Sequence, residues 1–163
     1  QFHFNEDLGF AEMYLNNENI EQPIRTIDVS RLVSKIAEIS EVRAKLVEQQ
    51  QKMGQNKGIV MDGRDIGTVV FPNADLKLFM TASSETKAQR RFDELIEKGQ
   101  QVTFEEVLQN VQERDYIDTH REDSPLVKAE DAIEIDNSHL SKKEQFEVVM
   151  ELVNEVLEET SKK

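Results

Sequence analysis

The chain has 163 residues, enough for one domain with a sizeable core, and its 37% hydrophobic and 33% charged content with few Gly and Pro argues against long disorder. The absence of Cys excludes disulfides and thiol chemistry, and the three His show no metal-ligand spacing. A net charge of −13 and a pI near 4.7 disfavour nucleic-acid and membrane-surface partners, and with no signal peptide or spanning apolar run the cytoplasm is the default expectation.

Residues 1–20 read as two short strands: Phe2 and Phe4 alternate, Phe10, Met13 and Leu15 follow, and Asn5 to Gly9 supply the turn. Pro23 ends this unit. Asp28 reads as the N-cap of a helix carrying Val29, Leu32, Val33 and Ile36, and Ser40 as the cap of a second carrying Val42, Leu46 and Met53 before Gly54. From Gly58 the run Ile59-Val60-Met61 is apolar without alternation, the pattern of a buried parallel strand. Asp75 to Thr81 predicts another strand. Ser83 and Ser84 open a helix that Gly99 stops, and Thr103 with Glu106 forms a capping box for the next. Ala132 to Asp136 is a third strand, and Ser141 with Glu144 opens the last helix, striped by Phe146, Val149, Met150, Val153 and Val156. Alternating strands and helices imply an α/β parallel sheet, with the first fifty or so residues as a small lobe upon it.

Three groups of residues attract notice as chemistry. Seven of the eight arginines (Arg25, Arg43, Arg64, Arg90, Arg91, Arg114, Arg121) read as a gathered set, which in an acidic chain suggests a local anion site. Arg64 and Asp65, between Gly63 and Gly67, follow the apolar run and would project beyond a strand's carboxyl end, where open α/β sheets bind ligands; a plain turn with Asp65 as a cap explains the same string. Arg114, Asp118 and Arg121 share one helix face at i, i+4 and i+7. They form either a ladder of surface ion pairs or one wall of a cleft, and their overlap with the stripe of Phe104, Val107, Leu108 and Val111 supports the cleft. Arg90 and Arg91 point about 100° apart, so one of them is expected to face a ligand, unless both are solvated.

The string from Gly58 to Pro72, Gly-Ile-Val-Met-Asp-Gly-Arg-Asp-Ile-Gly-Thr-Val-Val-Phe-Pro, resembles the hallmark segment of bacterial cytidylate kinases. The likeness continues through Ala82 to Glu85, Ala88 to Arg91, Glu113 to Asp115, Asp118 to Arg121, Ser124 to Val127 and Asp131 to Asp136, and upstream through Ile24 to Thr26 and Ser34 to Arg43. The resemblance implies a P-loop nucleoside monophosphate kinase-like fold, with residues 1–54 a nucleoside monophosphate-binding lobe, 55–163 the kinase core and about 90–125 its lid segment. It implies phosphoryl transfer from ATP to CMP or dCMP, with Mg2+ accompanying ATP. Ser34, Arg43 and Asp65 would read cytosine; Arg114 and Asp118 would hold the ribose; Arg64 and Arg121 would hold the CMP phosphate; Arg90 or Arg91 would reach the ATP phosphates. Arg64, Arg114 and Arg121 would be the catalytic, charge-neutralising set.

No Gly-x-x-x-x-Gly-Lys-Ser/Thr string occurs in the sequence. The expectation is therefore of a family member whose N-terminal P-loop strand is missing, inactive by itself, and prone to self-association through an incomplete sheet. A nucleotide-binding or assembly fragment without catalysis, or a kinase for another monophosphate, are the alternatives.

Overall fold

A computed structural model describes residues 2–162, and the side chains of all of these except Phe2 and Ser34. An antiparallel hairpin opens the chain. Strand β1 (Phe2–Asn5) pairs with β2 (Phe10–Leu15), placing Phe4 opposite Ala11, and a two-residue strand β3 (Glu18–Asn19) extends the meander. Asn5 makes the turn: its side-chain oxygen accepts from the backbone N–H groups of Asp7 and Leu8, and Gly9 takes a φ of +70°. Buried Glu21 ties off the hairpin, accepting from the Met13 N–H at 3.0 Å and pairing with Arg25 at 2.8 Å.

Helices α1 (Ile27–Ala37) and α2 (Ser40–Met53) follow a single turn of 3₁₀-helix at Pro23–Arg25. Their starts differ from expectation by a residue or two. Thr26, extended at ψ 159°, caps α1 by accepting from the Val29 N–H, and Asp28 sits inside the first turn. Ile39 takes the N-cap position of α2, and the Ser40 hydroxyl instead donates to Asp123.

The apolar run Ile59-Val60-Met61 is not a strand. Val60 is fully exposed, and no strand among the described residues lies beside the run to take up its backbone groups. An extended apolar segment becomes a strand only when a neighbour completes its hydrogen bonds. Beyond it, a π-helical turn at Ile66–Val70 gathers three N–H groups, those of Thr68, Val69 and Val70, onto the Asp65 carbonyl.

The parallel pair is β4 (Leu78–Thr81) with β5 (Ile133–Asp136), in register from Leu78 opposite Ile133 to Thr81 opposite Asp136. The crossover between them contains α3 (Ser84–Glu97) and α4 (Phe104–His120). Both begin at caps read from the sequence, Ser83 for α3 and the reciprocal Thr103–Glu106 box for α4. The main core lies between these helices: Ala88, Leu95 and Val107 are buried, with Ile27, Phe92, Val102, Phe104, Leu108 and Val111 around them. Helix α5 (Lys142–Ser161) starts at the Ser141–Glu144 box, and its apolar stripe buries no residue. The architecture is thus mixed α/β with a parallel strand pair. No helix of the described residues is long and apolar enough to cross a membrane.

Candidate functional site

Four elements converge on a cleft of about 150 Å³. Helix α1 contributes Val33 and Ala37, α2 contributes Arg43 and Gln50, and the turn after the unpaired apolar run contributes Gly63, Arg64 and Asp65. Helix α4 presents Arg114 and Asp118, and Arg121 sits at its C-cap. The i, i+4, i+7 residues therefore line one cleft, together with the Gly63-Arg64-Asp65 turn.

Asp118 is the hub. Only 2% of the residue is exposed, yet it is charged, and two cations meet it. The Arg64 Nε donates to one carboxylate oxygen at 2.8 Å, and the Arg121 Nη1 donates to the other at 3.3 Å. The other two nitrogens of the Arg121 guanidinium share one acceptor: Nε and Nη2 both donate to the Ser124 carbonyl, at 2.9 and 2.7 Å. Ser124 turns that carbonyl inward by adopting a left-handed φ of +51°. Across the cleft, Arg43 and Asp65 form a buried ion pair. The Nε of Arg43 is buried without a hydrogen-bond partner. Such a donor is costly to leave unmatched, and it marks a position where an acceptor would be welcome.

Charge is unevenly distributed here. Four guanidinium groups face two carboxylates, giving a positive pocket in a chain of net charge −13. The crowding shows in the titration of the arginines. Burial, then the neighbouring Arg64 charge, lowers the Arg114 pKa from its ordinary value; burial, then Arg43, does the same to Arg121. An anion entering the pocket would offset the part of each shift that comes from the neighbouring arginines.

Arg90 and Arg91 stand elsewhere. They line a separate cavity of about 350 Å³ at the carboxyl end of β4, with Met80, Thr81, Ala82, Lys87, Glu94 and Asn137. Both reach this cavity, although their directions along α3 differ. Arg90 is largely engaged by backbone and amide groups: Nη1 donates to the Asn137 side chain at 3.0 Å, and Nη2 to the carbonyls of Asn137 and Leu140. Arg91 donates to Glu94 at 2.7 Å and to the Arg25 carbonyl at 3.0 Å. The Ser34 side chain falls outside the described residues.

Sequence reading missed a buried polar pair beside the cleft. Ser30 on α1 donates to the Asn110 side-chain oxygen on α4 at 2.9 Å, and its oxygen accepts from Arg114 Nη1 at 3.1 Å. The available signal was a polar residue interrupting each of two apolar faces: Ser30 beside Val29 and Val33, Asn110 beside Val107 and Val111.

Comparison with known proteins converges on one family. The sequence profile described as cytidylate kinase matches residues 1–155. A protein named cytidylate kinase from Flavobacterium johnsoniae is 75% identical over 96% of this chain and 68% of its own length. Another so named, from Flavobacterium psychrophilum, is 70% identical over 96% of this chain and 69% of its own. One from Bacteroides thetaiotaomicron is 56% identical over 97% and 69% respectively. The chain thus spans about two thirds of the length of each.

Proposed function

Because the chain belongs to the cytidylate kinase family, we propose that its central cleft is a CMP site and that its reaction is phosphoryl transfer from ATP to CMP or dCMP. The single observation that carries this reading is the convergence of Arg43, Arg64, Asp65, Arg114, Asp118 and Arg121 on one small cleft. Their chemistry matches the ligand in parts. Cytosine offers an exocyclic amine, which the Asp65 carboxylate can accept, and a ring nitrogen and carbonyl, to which Arg43 can donate through its unmatched Nε. Ser34, a residue of α1, is the third member of the base-reading set that the family resemblance implies. Arg114 and Asp118 take the ribose, and Arg64 and Arg121 the phosphate.

The cleft is smaller than the roughly 300–1,000 Å³ usual for small-molecule sites. Its arginine–aspartate pairs occupy the space that a base and a phosphate need. Binding therefore exchanges internal ion pairs for ligand contacts: Arg43–Asp65 opens for the base, and Arg64–Asp118 for phosphate and sugar. The exchange keeps each charge partnered, which limits the cost of moving it. Phosphoryl transfer needs positioned, charge-neutralising groups more than covalent chemistry, and Arg64, Arg114 and Arg121 supply them on the acceptor side.

For the donor, the cavity lined by Arg90, Arg91 and Lys87 lies at the carboxyl end of a parallel pair, the usual place for a ligand in such sheets. We assign it to ATP phosphates, with Arg91 the freer of the two arginines. The family's reaction generally uses Mg2+ with ATP. Among the described residues no three His, Cys, Asp or Glu side chains converge to hold a metal, and both carboxylates of the cleft are committed to arginines. The ion finds no ligand set there. The fold reading that accompanies these assignments is the P-loop monophosphate kinase architecture, with residues 1–54 as the acceptor lobe, 55–163 as the core and about 90–125 as the lid, working as a soluble cytoplasmic enzyme.

Calorimetric titration of the 163-residue chain with CMP and with UMP tests the reading. Saturable binding that prefers CMP is expected. Turnover is measured separately, by ADP formation from ATP in the presence of CMP. Failure to bind either nucleotide would leave the cleft without its assigned ligand.

A further inference from the structure

We propose that Ser30 and Asn110 are positioning residues that fix the guanidinium of Arg114 in the cleft, and that α1 and α4 dock through this bridge so that Arg114 is aimed only when the two helices are together. The role rests on the reading of Arg114 as a CMP-facing group.

The argument begins with where these polar groups lie. Ser30 and Asn110 are each 7% exposed. Around them the contact between α1 and α4 is largely apolar, with Ile27 and Val111 packed against the cluster that contains Val107, and a half-exposed ion pair, Arg31–Glu106 at 3.9 Å, joins the same two helices. An apolar pair at these two positions would serve packing as well, and it would avoid desolvating an amide and a hydroxyl. The polar pair does something packing does not. A serine hydroxyl has one proton and two lone pairs. With the proton given to the Asn110 side-chain oxygen at 2.9 Å, only lone pairs remain to face Arg114, whose Nη1 donates to them at 3.1 Å. Asn110 thereby sets the direction of the Ser30 dipole, and Ser30 sets the direction of Arg114. Asn110 also lies one helical turn before Arg114 on α4, so the bridge returns to the helix it serves. Arg114 is half-buried, so water has limited access to its guanidinium.

The bridge spans 84 residues of sequence, from a helix of the N-terminal part to one of the core. Separation of α1 from α4 breaks it at once. Ser40, at the start of α2, makes a second contact between the same two regions through Asp123, close to Arg121. Positioning of the cleft's arginines is thus coupled to the packing of the N-terminal helices.

The test uses Ser30→Ala, which keeps a small helix-favouring residue in α1, together with Arg114→Ala and the double variant. CMP binding to the full 163-residue chain is measured by calorimetry, and restriction of the Arg114 guanidinium by arginine side-chain NMR. Ser30→Ala is expected to weaken CMP binding about tenfold, the scale of losing one hydrogen bond to a charged group. Arg114→Ala should weaken it more, and the double variant no further than Arg114→Ala alone. Ser30→Thr, which retains the hydroxyl, should restore binding. In NMR, hindered rotation of the Arg114 guanidinium in the unsubstituted chain should become free in Ser30→Ala. Unchanged Arg114 signals in Ser30→Ala, or losses that add in the double variant, would overturn the positioning role while leaving the CMP site standing. Absence of CMP binding by the unsubstituted chain, with Arg114 still hindered, would instead overturn the site and its positioning role towards CMP, leaving the bridge as a structural tie.

Discussion

At the scale of single residues the cleft is held together by multiply engaged guanidinium groups. Arg121 illustrates this with three donors in use, one on Asp118 and two on the Ser124 carbonyl. A lysine in its place offers a point charge and cannot span those acceptors. Arg121→Ala and Arg121→Lys should therefore both abolish most CMP affinity, whereas an arginine in an exposed ion-pair ladder would cost at most about 1 kcal/mol. Calorimetry of the two variants decides this, and near-normal affinity in either would remove Arg121 from the site. Asp65→Asn preserves shape but gives up the carboxylate that faces Arg43. CMP binding should fall by about 1.5–3 kcal/mol and UMP binding by less, since uracil presents a carbonyl where cytosine has its amine. Equal losses would make Asp65 a structural partner of Arg43 alone. The spacing of Arg114, Asp118 and Arg121 made their convergence legible in the sequence because helix geometry is fixed. The Ser30–Asn110 link was not legible, since it joins two helices far apart in the chain and nothing in either local pattern names the other.

The capped starts of α3, α4 and α5 were the most readable elements, and that of α4 carries a pH dependence. In the box that starts α4, the Glu106 carboxylate accepts from the backbone and the hydroxyl of Thr103, and these hydrogen bonds hold its pKa below the ordinary 4.5. A carboxyl lowered in the folded state contributes stability that is complete above the unfolded value and is lost as pH falls through the folded one. Thermal melts should accordingly drop as pH descends below the ordinary carboxylate range, and Glu106→Gln should remove part of that drop. An identical acid profile in the variant would count against the linkage. At neutral pH, Thr103→Ala should cost about 1 kcal/mol, the usual worth of an N-cap, seen as a lower melting temperature. The strand reading of Ile59 to Met61 shows why sheets are harder to read than caps. A cap is complete within four residues, whereas a strand depends on a neighbour that the local pattern does not identify. The same limit shortened the strand expected from Asp75 to its last four residues, which are the ones opposite β5.

For the molecule as a whole, apolar surface outruns what the folded chain covers. The hairpin exposes Phe4, Leu8, Phe10 and Leu15, and α1 exposes Leu32 and Ile36. Exposed apolar side chains in such number invite association, as does the unpaired run near Val60. Sedimentation of the 163-residue chain should show concentration-dependent association, and a single monomeric species up to high concentration would contradict it. Elsewhere the fold is held unevenly, and Arg90 shows where. Its fork onto Asn137 and Leu140 grips the chain just ahead of α5, and Asn137 in turn donates to Gln145 in the second turn of that helix at 2.9 Å. Beyond that grip no residue of the helix is fully buried, and Val149, Leu152, Val153 and Val156 are only half-buried. Amide protons of α5 should then exchange with solvent deuterium along a gradient, slow beside Gln145 and fast towards Thr160, while those of α3 and α4 around Leu95 and Val107 persist longest. Cutting the grip with Arg90→Ala should flatten the gradient and let α5 open as a unit, so an arginine read from its sequence as a phosphate ligand also acts as the pin from which the final helix hangs.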